Sequence, residues 1–182
     1  MLMSLVAAGP VASFADPLEA HAADAALSSL VAPLRDQHGR PLPAGAVLEK
    51  AHAVFVVSAR RLRRVREWQK ELDRRVEGVS YLRVADVPPE ADRPPARFED
   101  VAEELRKRVP ADVAVLVDLE RRFAGRLDLD TREVNVLLFD ASGAMVGRLR
   151  GRPTAAAADE AASRLLALPG VHRRAPAPPP AR

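Results

Sequence analysis

Cysteine is absent from all 182 residues of this chain. Thiol–disulfide exchange needs one thiolate as the nucleophile and a second thiol that resolves the mixed disulfide, and no other side chain can replace either group. The absence therefore excludes thiol–disulfide oxidoreductase and peroxiredoxin activity. It leaves the compartment open, because a chain without cysteine is compatible with oxidising and with reducing surroundings.

Aromatic residues are also scarce: the chain has one tryptophan, one tyrosine and five phenylalanines. Proteins that bind single-stranded nucleic acid stack bases on aromatic side chains, and those that bind duplexes present a clustered basic surface. Three arginines near the C-terminus, Arg173, Arg174 and Arg182, account for the formal net charge of +3, so the remaining chain is nearly neutral. We therefore expect no nucleic-acid partner and attribute the high arginine content to a GC-rich genome.

Several motifs that carry chemistry are missing as well: a phosphate-binding glycine loop, a zinc-ligand set and a nucleophile elbow. No base supports Ser58 as a nucleophile, because His21, His38, His52 and His172 lie outside the core motifs. A helix-capping or loop serine is predicted instead. The best carboxylate group for a metal consists of Asp118, Asp128 and Asp130 with Glu120 nearby. The glycine-punctuated spacing of calcium loops is absent, so we expect neither a metal nor another cofactor.

The two ends of the chain differ in composition from its body. Residues 1–15 are apolar, uncharged and too short to span a bilayer, and Ser13 and Ala15 fit a signal-peptidase site. They predict an export signal, hence a periplasmic or otherwise exported protein without a transmembrane anchor in its mature form. Because no lysine or arginine precedes the apolar run, a loose apolar arm on a cytoplasmic protein is the alternative. We expect residues 16–33 to be an N-terminal extension and residues 169–182 to be a disordered tail rich in proline, alanine and arginine.

Between these ends, hydrophobic periodicity predicts alternating strands and helices. The strands are expected at 53–57, 79–84, 113–117, 134–139 and 145–150, and the helices at 60–76, 98–109, 119–127 and 155–168. Trp68 belongs to the apolar stripe of the first helix, which favours core packing. The turn at 140–143 predicts an antiparallel hairpin, whereas strands separated by helices pair in parallel. The order is β-α-β-α-β-α-β-β-α, with a mixed central sheet.

Three segments of this body resemble the thioredoxin-like superfamily, in particular its redoxin branch. They are FVVSARRLR at 55–63, DLERRFA at 118–124 with its continuation to Leu127, and VLLFDASGA at 136–144 followed by Arg150-Gly151. The resemblance covers residues 34–168. It implies a three-layer α/β/α sandwich whose mixed sheet ends in an antiparallel hairpin followed by a C-terminal helix.

The same resemblance locates the family's active-site loop at Ser58, Ala59, Arg60 and Arg63, with Val134 facing it. Arg60 and Arg63 stand where the family has its two cysteines, and Val134 stands where it has a cis-proline. Both halves of the redox site are therefore replaced. This pattern is similar to that of cysteine-free periplasmic thioredoxin-like proteins.

Four arginines at this loop are the candidate binding residues: Arg60, Arg61, Arg63 and Arg64. In the first turn of a helix they would lie beside free backbone amides, which favour an anion. The alternative is a solvated charged face partly neutralised by Glu67 and Glu71.

We therefore expect a non-catalytic module of the cell envelope that binds a protein or a small anion. The alternatives are an enzyme with non-thiol chemistry in the same cleft, and a degenerate redoxin paralogue. An enzyme would require a compact pocket with converging polar groups and a carboxylate of perturbed pKa. The oligomeric state is left open.

Overall fold

The computed structural model describes residues 26–47, 49–89 and 94–175. The predicted export signal at 1–15, most of the predicted extension and the last seven residues of the predicted tail lie outside them. The helices are α1 (Leu27–Val31), α2 (Val65–Asp73), α3 (Phe98–Arg108) and α4 (Ala155–Leu166). The strands are β1 (Arg35–Asp36), β2 (Ala51–Ser58), β3 (Val76–Glu77), β4 (Val79–Asp86), β5 (Leu116–Asp118), β6 (Asn135–Phe139), β7 (Met145–Arg150) and β8 (His172–Arg173). Short 3-10 helices cover Ala44–Val47 and Ala59–Arg64.

Six strands form one mixed sheet in the order β1-β5-β4-β2-β6-β7. The central strand β2 runs parallel to β4 over its whole length, from the pair Ala51↔Val79 to the pair Ser58↔Asp86. Strand β5 extends the parallel half, while β6 pairs antiparallel with β2 and β7 pairs antiparallel with β6. The predicted mixed sheet with its antiparallel hairpin is therefore confirmed.

One face of the sheet is covered by α2, α3 and α4. Phe55 and Val57 of β2 pack against Trp68 of α2 and Leu165 of α4. Ala85, the neighbour of Val57 on β4, packs against α3. Right-handed crossovers that advance in one direction across a sheet place their helices on the same face, which accounts for α2 and α3.

The opposite face is covered by α1 and by the irregular segment 119–131, where Leu30 and Phe123 pack on Val54 and Val56. The helix predicted over 119–127 was wrong. The Asp118 carboxylate accepts hydrogen bonds from the backbone amides of residues 122, 123 and 124 at 2.7, 3.1 and 2.9 Å. Arg121 adopts a φ of +52°. A left-handed residue interrupts an α-helix, so the segment forms turns instead.

Local corrections apply to two other predicted elements. The strand expected at 113–117 forms only at 116–118, because Gln37 bonds the backbone of Val113 and Val115 through its side chain, at 2.7 and 2.8 Å. The helix expected from Arg60 begins as a 3-10 turn and becomes α-helical only at Val65.

The packed region reaches beyond the predicted bounds 34–168 on both sides. Leu27 and Leu30 of α1 are buried, and the Leu27 amide donates to the Gly143 carbonyl at 2.9 Å. Downstream of residue 168, Val171 is buried in the main core, and β8 pairs with β3. Apolar contacts thus hold part of each flanking segment against the sheet. In the described parts of the chain, no helix is long and apolar enough to cross a bilayer.

Candidate functional site

The predicted site residues lie at the carboxyl ends of β2 and β4. Ser58 ends β2, and its backbone amide donates to the Thr131 carbonyl at 2.9 Å. It occupies the cap position of the following 3-10 helix, although its hydroxyl makes no capping bond. The arginines follow on this six-residue 3-10 turn. The prediction that they lie in the first turn of an α-helix is therefore wrong.

The four candidate arginines separate into two pairs. Arg61 donates to the Arg132 carbonyl, and Arg64 forms an ion pair with Glu133 at 3.1 Å. Arg60 and Arg63 instead border a groove between the 3-10 turn and α3. The structure therefore brings only two of the four predicted residues to one concave surface.

We call this concave surface the arginine groove; its volume is about 850 Å³. It is lined by residues of two kinds, arginines and mainly apolar side chains. The arginines are Arg60, Arg63, Arg66, Arg83 and Arg108, and the others are Ala59, Leu62, Val65, Leu105, Val109, Pro110, Val113 and Val115. Within the described residues, no carboxylate lines it. Arg108 forms an ion pair with Glu104 at 2.7 Å.

Arg83 is the most enclosed of these arginines. Its Nε and Nη2 both donate to Gln69 Oε1, at 3.2 and 2.7 Å, which fixes the guanidinium beside α2. Burial lowers the pKa of Arg83, and the neighbouring positive charge of Arg66 lowers it further, while Asp112 and Asp73 oppose the shift. The guanidinium remains charged throughout the physiological range. The groove is therefore a region of positive potential.

A second concavity of about 870 Å³, the proline-walled cavity, lies between the 3-10 turn, α3 and the segments on either side of residues 90–93. Its walls include Pro88, Pro89, Pro94 and Pro95. Charges of both signs line it. These are Arg60, Arg61, Arg108 and Arg132 together with Asp86, Asp100, Glu104 and Glu120. An anion gains less from this balanced surface than from the arginine groove.

Asp86 is the carboxylate of perturbed pKa that an enzyme would require. Burial raises its pKa, although the Thr131 hydroxyl, which donates to Oδ2 at 2.5 Å, and Arg121, whose Nε lies 3.7 Å from Oδ2, oppose the shift. Its side chain is 0% exposed. Asp86 borders the proline-walled cavity, but its fully buried side chain contacts Thr131 and Arg121, and these contacts favour a structural function.

The remaining predicted positions have packing contacts. Val134 is buried in the main core, and its carbonyl accepts a bond from the Gly151 amide at 2.8 Å. It does not line either concavity. Trp68 is fully buried and donates from Nε1 to the Gly151 carbonyl at 2.8 Å, so its predicted core position is confirmed.

The carboxylates considered for a metal bind other groups. Asp118 accepts the three amide bonds described above, and Asp130 accepts from the Arg132 amide at 3.0 Å and from Arg150. No group of three potential metal ligands occurs in residues 26–47, 49–89 and 94–175.

Besides Arg66, which lies beside the four candidates in sequence, the groove contains two arginines that the sequence did not indicate, Arg83 and Arg108. Arg83 lies on the same face of β4 as Val79 and Tyr81, the face that α2 covers. The alternation of side chains along the strand was the available signal. Arg108 lies at the end of α3, where a basic residue is ordinarily explained by the helix dipole. Neither is close in sequence to Arg60 and Arg63.

Comparison of the whole fold with solved structures finds thioredoxin-like proteins. The N-terminal domain of PilB from Neisseria gonorrhoeae superposes with a TM-score of 0.56 at 12% identity, over 72% of this chain and 87% of that one. The exposed lipoprotein thioredoxin Etrx1 from Streptococcus pneumoniae gives 0.55 at 12% identity, over 72% and 97%. MTB dsbF gives 0.51 at 14% identity, over 76% and 96%.

No family model matches this chain, and no curated protein matches it in sequence. At these identities the structural likeness establishes the fold alone. The predicted thioredoxin-like α/β sandwich is confirmed, and it is built here without cysteine.

Proposed function

We propose that this chain is a non-catalytic thioredoxin-like protein that binds an anionic group of a small molecule or of a protein partner in the arginine groove. The observation that carries the proposal is the lining: five guanidinium groups and no carboxylate of the described residues. Like charges brought together in a concave surface raise the local concentration of counter-ions. The groove occupies the end of the fold where relatives of this architecture carry their redox loop.

An envelope location is part of the proposal. It is supported by the apolar segment 1–15 and by the description of one structural neighbour as an exposed lipoprotein. A degenerate paralogue with no remaining function would have no reason to bring arginines from four separate elements, the 3-10 turn, α2, β4 and α3, around one concavity. An enzyme is the second candidate, because the proline-walled cavity has the required volume, but the buried position of Asp86 disfavours it.

The test is calorimetric titration at low salt with two probes, inorganic pyrophosphate and a hexaglutamate peptide. The groove variant Arg60→Gln, Arg63→Gln, Arg66→Gln removes three charges from the lining. The matched control Arg64→Gln, Arg74→Gln, Arg122→Gln removes three charges that pair with Glu133, Glu71 and Glu120 outside it. We expect at least one probe to bind the wild type and the control, with a tenfold or greater loss in the groove variant.

Equal losses in the two triple variants would mean that only net charge matters, and the proposal would be wrong. Absence of binding by the wild type to both probes would also contradict it. Circular dichroism of each variant verifies that the fold is retained.

A further inference from the structure

The arginine groove combines charge with apolar surface. Val65 and Val115 are 1% and 0% exposed, and Leu105 is also buried, whereas Arg63 and Arg66 are exposed. The apolar side chains therefore form the inner part of the groove, and the guanidinium groups of α2 and the 3-10 turn lie toward solvent.

A small hydrated anion uses only half of such a surface. Inorganic phosphate gains Coulomb attraction from the guanidinium groups, but it gains nothing from valine and leucine side chains. A ligand with an apolar chain behind its anionic head would contact both parts. Removing that chain from water contributes free energy in proportion to the apolar area buried.

We propose that the arginine groove takes an amphiphilic anion: an acidic head group on the arginines, and an alkyl or similar apolar chain against Leu62, Val109 and Val113. This inference rests on the proposed function and adds the chemical class of the ligand. The volume of about 850 Å³ is within the range of small-molecule sites in proteins.

Arg83 supports the assignment of the head group. Its two bonds to Gln69 hold the guanidinium in place before a ligand arrives, so little side-chain entropy is lost on binding. Because Nε and Nη2 bind Gln69, a carboxylate or phosphate would meet the other edge of this planar, pre-oriented guanidinium. The remaining arginines extend this positive surface outward.

The experiment is a calorimetric titration of the full chain, with each ligand below the concentration at which it forms micelles. The ligands are inorganic phosphate, methyl phosphate, butyl phosphate, hexyl phosphate and neutral hexanol. We expect affinity to rise by about fourfold for each methylene buried between butyl and hexyl phosphate. Hexanol should bind at least tenfold more weakly than hexyl phosphate.

Variants locate the two halves of the site. Arg63→Gln should lower the affinity for hexyl phosphate by tenfold or more. Arg64→Gln, one residue along the same turn, should leave that affinity within twofold of the wild type. Val113→Ser should flatten the chain-length dependence. Val101→Ser is its control, because Val101 is a partly buried valine of the same apolar cluster that lines the proline-walled cavity instead.

The outcomes separate the two proposals. Equal affinity for methyl and hexyl phosphate would overturn the proposal of an amphiphilic ligand, while the proposal of an anion site would stand. Equal affinity for hexanol and hexyl phosphate would overturn both. Sedimentation with anionic phosphatidylglycerol vesicles, without binding of monomeric hexyl phosphate, would indicate attachment to a lipid surface and would also overturn the amphiphile site.

Discussion

Gly78, between β3 and β4, supports a sharp prediction about the C-terminal segment. It has a φ of +85°, and a Cβ added there would lie 2.2 Å from the Gly170 carbonyl oxygen, where ordinary contact begins near 3.4 Å. Gly39 is the matched control, because its φ is +78° and nothing lies within 4 Å of an added Cβ. The substitution Gly39→Ala should cost about 1 kcal/mol, the left-handed penalty less the entropy removed from the unfolded chain.

Gly78→Ala should cost about 3.5 kcal/mol more than Gly39→Ala. The added methyl must displace Gly170 by about 1 Å, which breaks the pairing of β3 with β8 and exposes the buried side chain of Val171. Two hydrogen bonds at about 1 kcal/mol each and the burial of one valine at about 1.5 kcal/mol account for the difference. Urea unfolding of both variants measures it.

A shortened chain that ends at Pro169 provides the decisive comparison. Without Gly170 and Val171 there is nothing for the new methyl to displace, so Gly78→Ala and Gly39→Ala should then cost the same within about 0.5 kcal/mol. Equal costs in the full-length chain would show that the contact with the C-terminal segment does not stabilise the protein, and our reasoning would be refuted.

Two carboxylates give further predictions. Burial raises the pKa of Asp86 above its ordinary value of 3.8 against the opposing effects of Thr131 and Arg121, and nearby Asp118 raises it further. The folded state therefore holds the proton more tightly, and this stabilisation is complete below pH 3.8 and is lost as pH rises through the folded pKa. Urea unfolding from pH 3 to 7 should show the wild type losing stability relative to Asp86→Asn as pH rises; a constant difference would contradict the assigned shift. Asp118→Ala should cost about 3–5 kcal/mol in the same assay at pH 7, because three backbone amides lose their acceptor. A cost below about 1 kcal/mol would mean that the carboxylate does not hold the segment after β5.

Elements with strong local signals were predicted correctly from the sequence. Alternation over 79–84 identified β4, and the turn at 140–143 identified the hairpin. In this turn the Asp140 carboxylate accepts from the amides of Ser142 and Ala144, at 2.9 and 3.0 Å. Such bonds join residues close in sequence, so the local sequence of the turn is enough to indicate them.

Features that depend on distant residues, or on a local backbone conformation that hydrophobic periodicity does not indicate, were not predictable. The helix expected after Asp118 is absent because the Asp118 carboxylate accepts three consecutive amides and Arg121 takes a left-handed conformation. The grouping of the arginines depends on β4 and α3, which supply Arg83 and Arg108 from far along the chain. The pairing of Arg64 with Glu133 is likewise set by tertiary structure.

The central position of β2 has a consequence for how the chain folds. One edge of this apolar strand pairs with β4, which follows shortly after it in sequence. The other edge pairs only with β6, residues 135–139. During synthesis, an unpaired hydrophobic edge is therefore exposed until more than two thirds of the chain has been made. Exposed strand edges recruit other extended chains, and distant pairing slows folding. The nascent protein is consequently most prone to aggregation after β2 has been made and before β6 has been made. A chaperone that shields residues 51–58 would prevent aggregation most effectively in this interval.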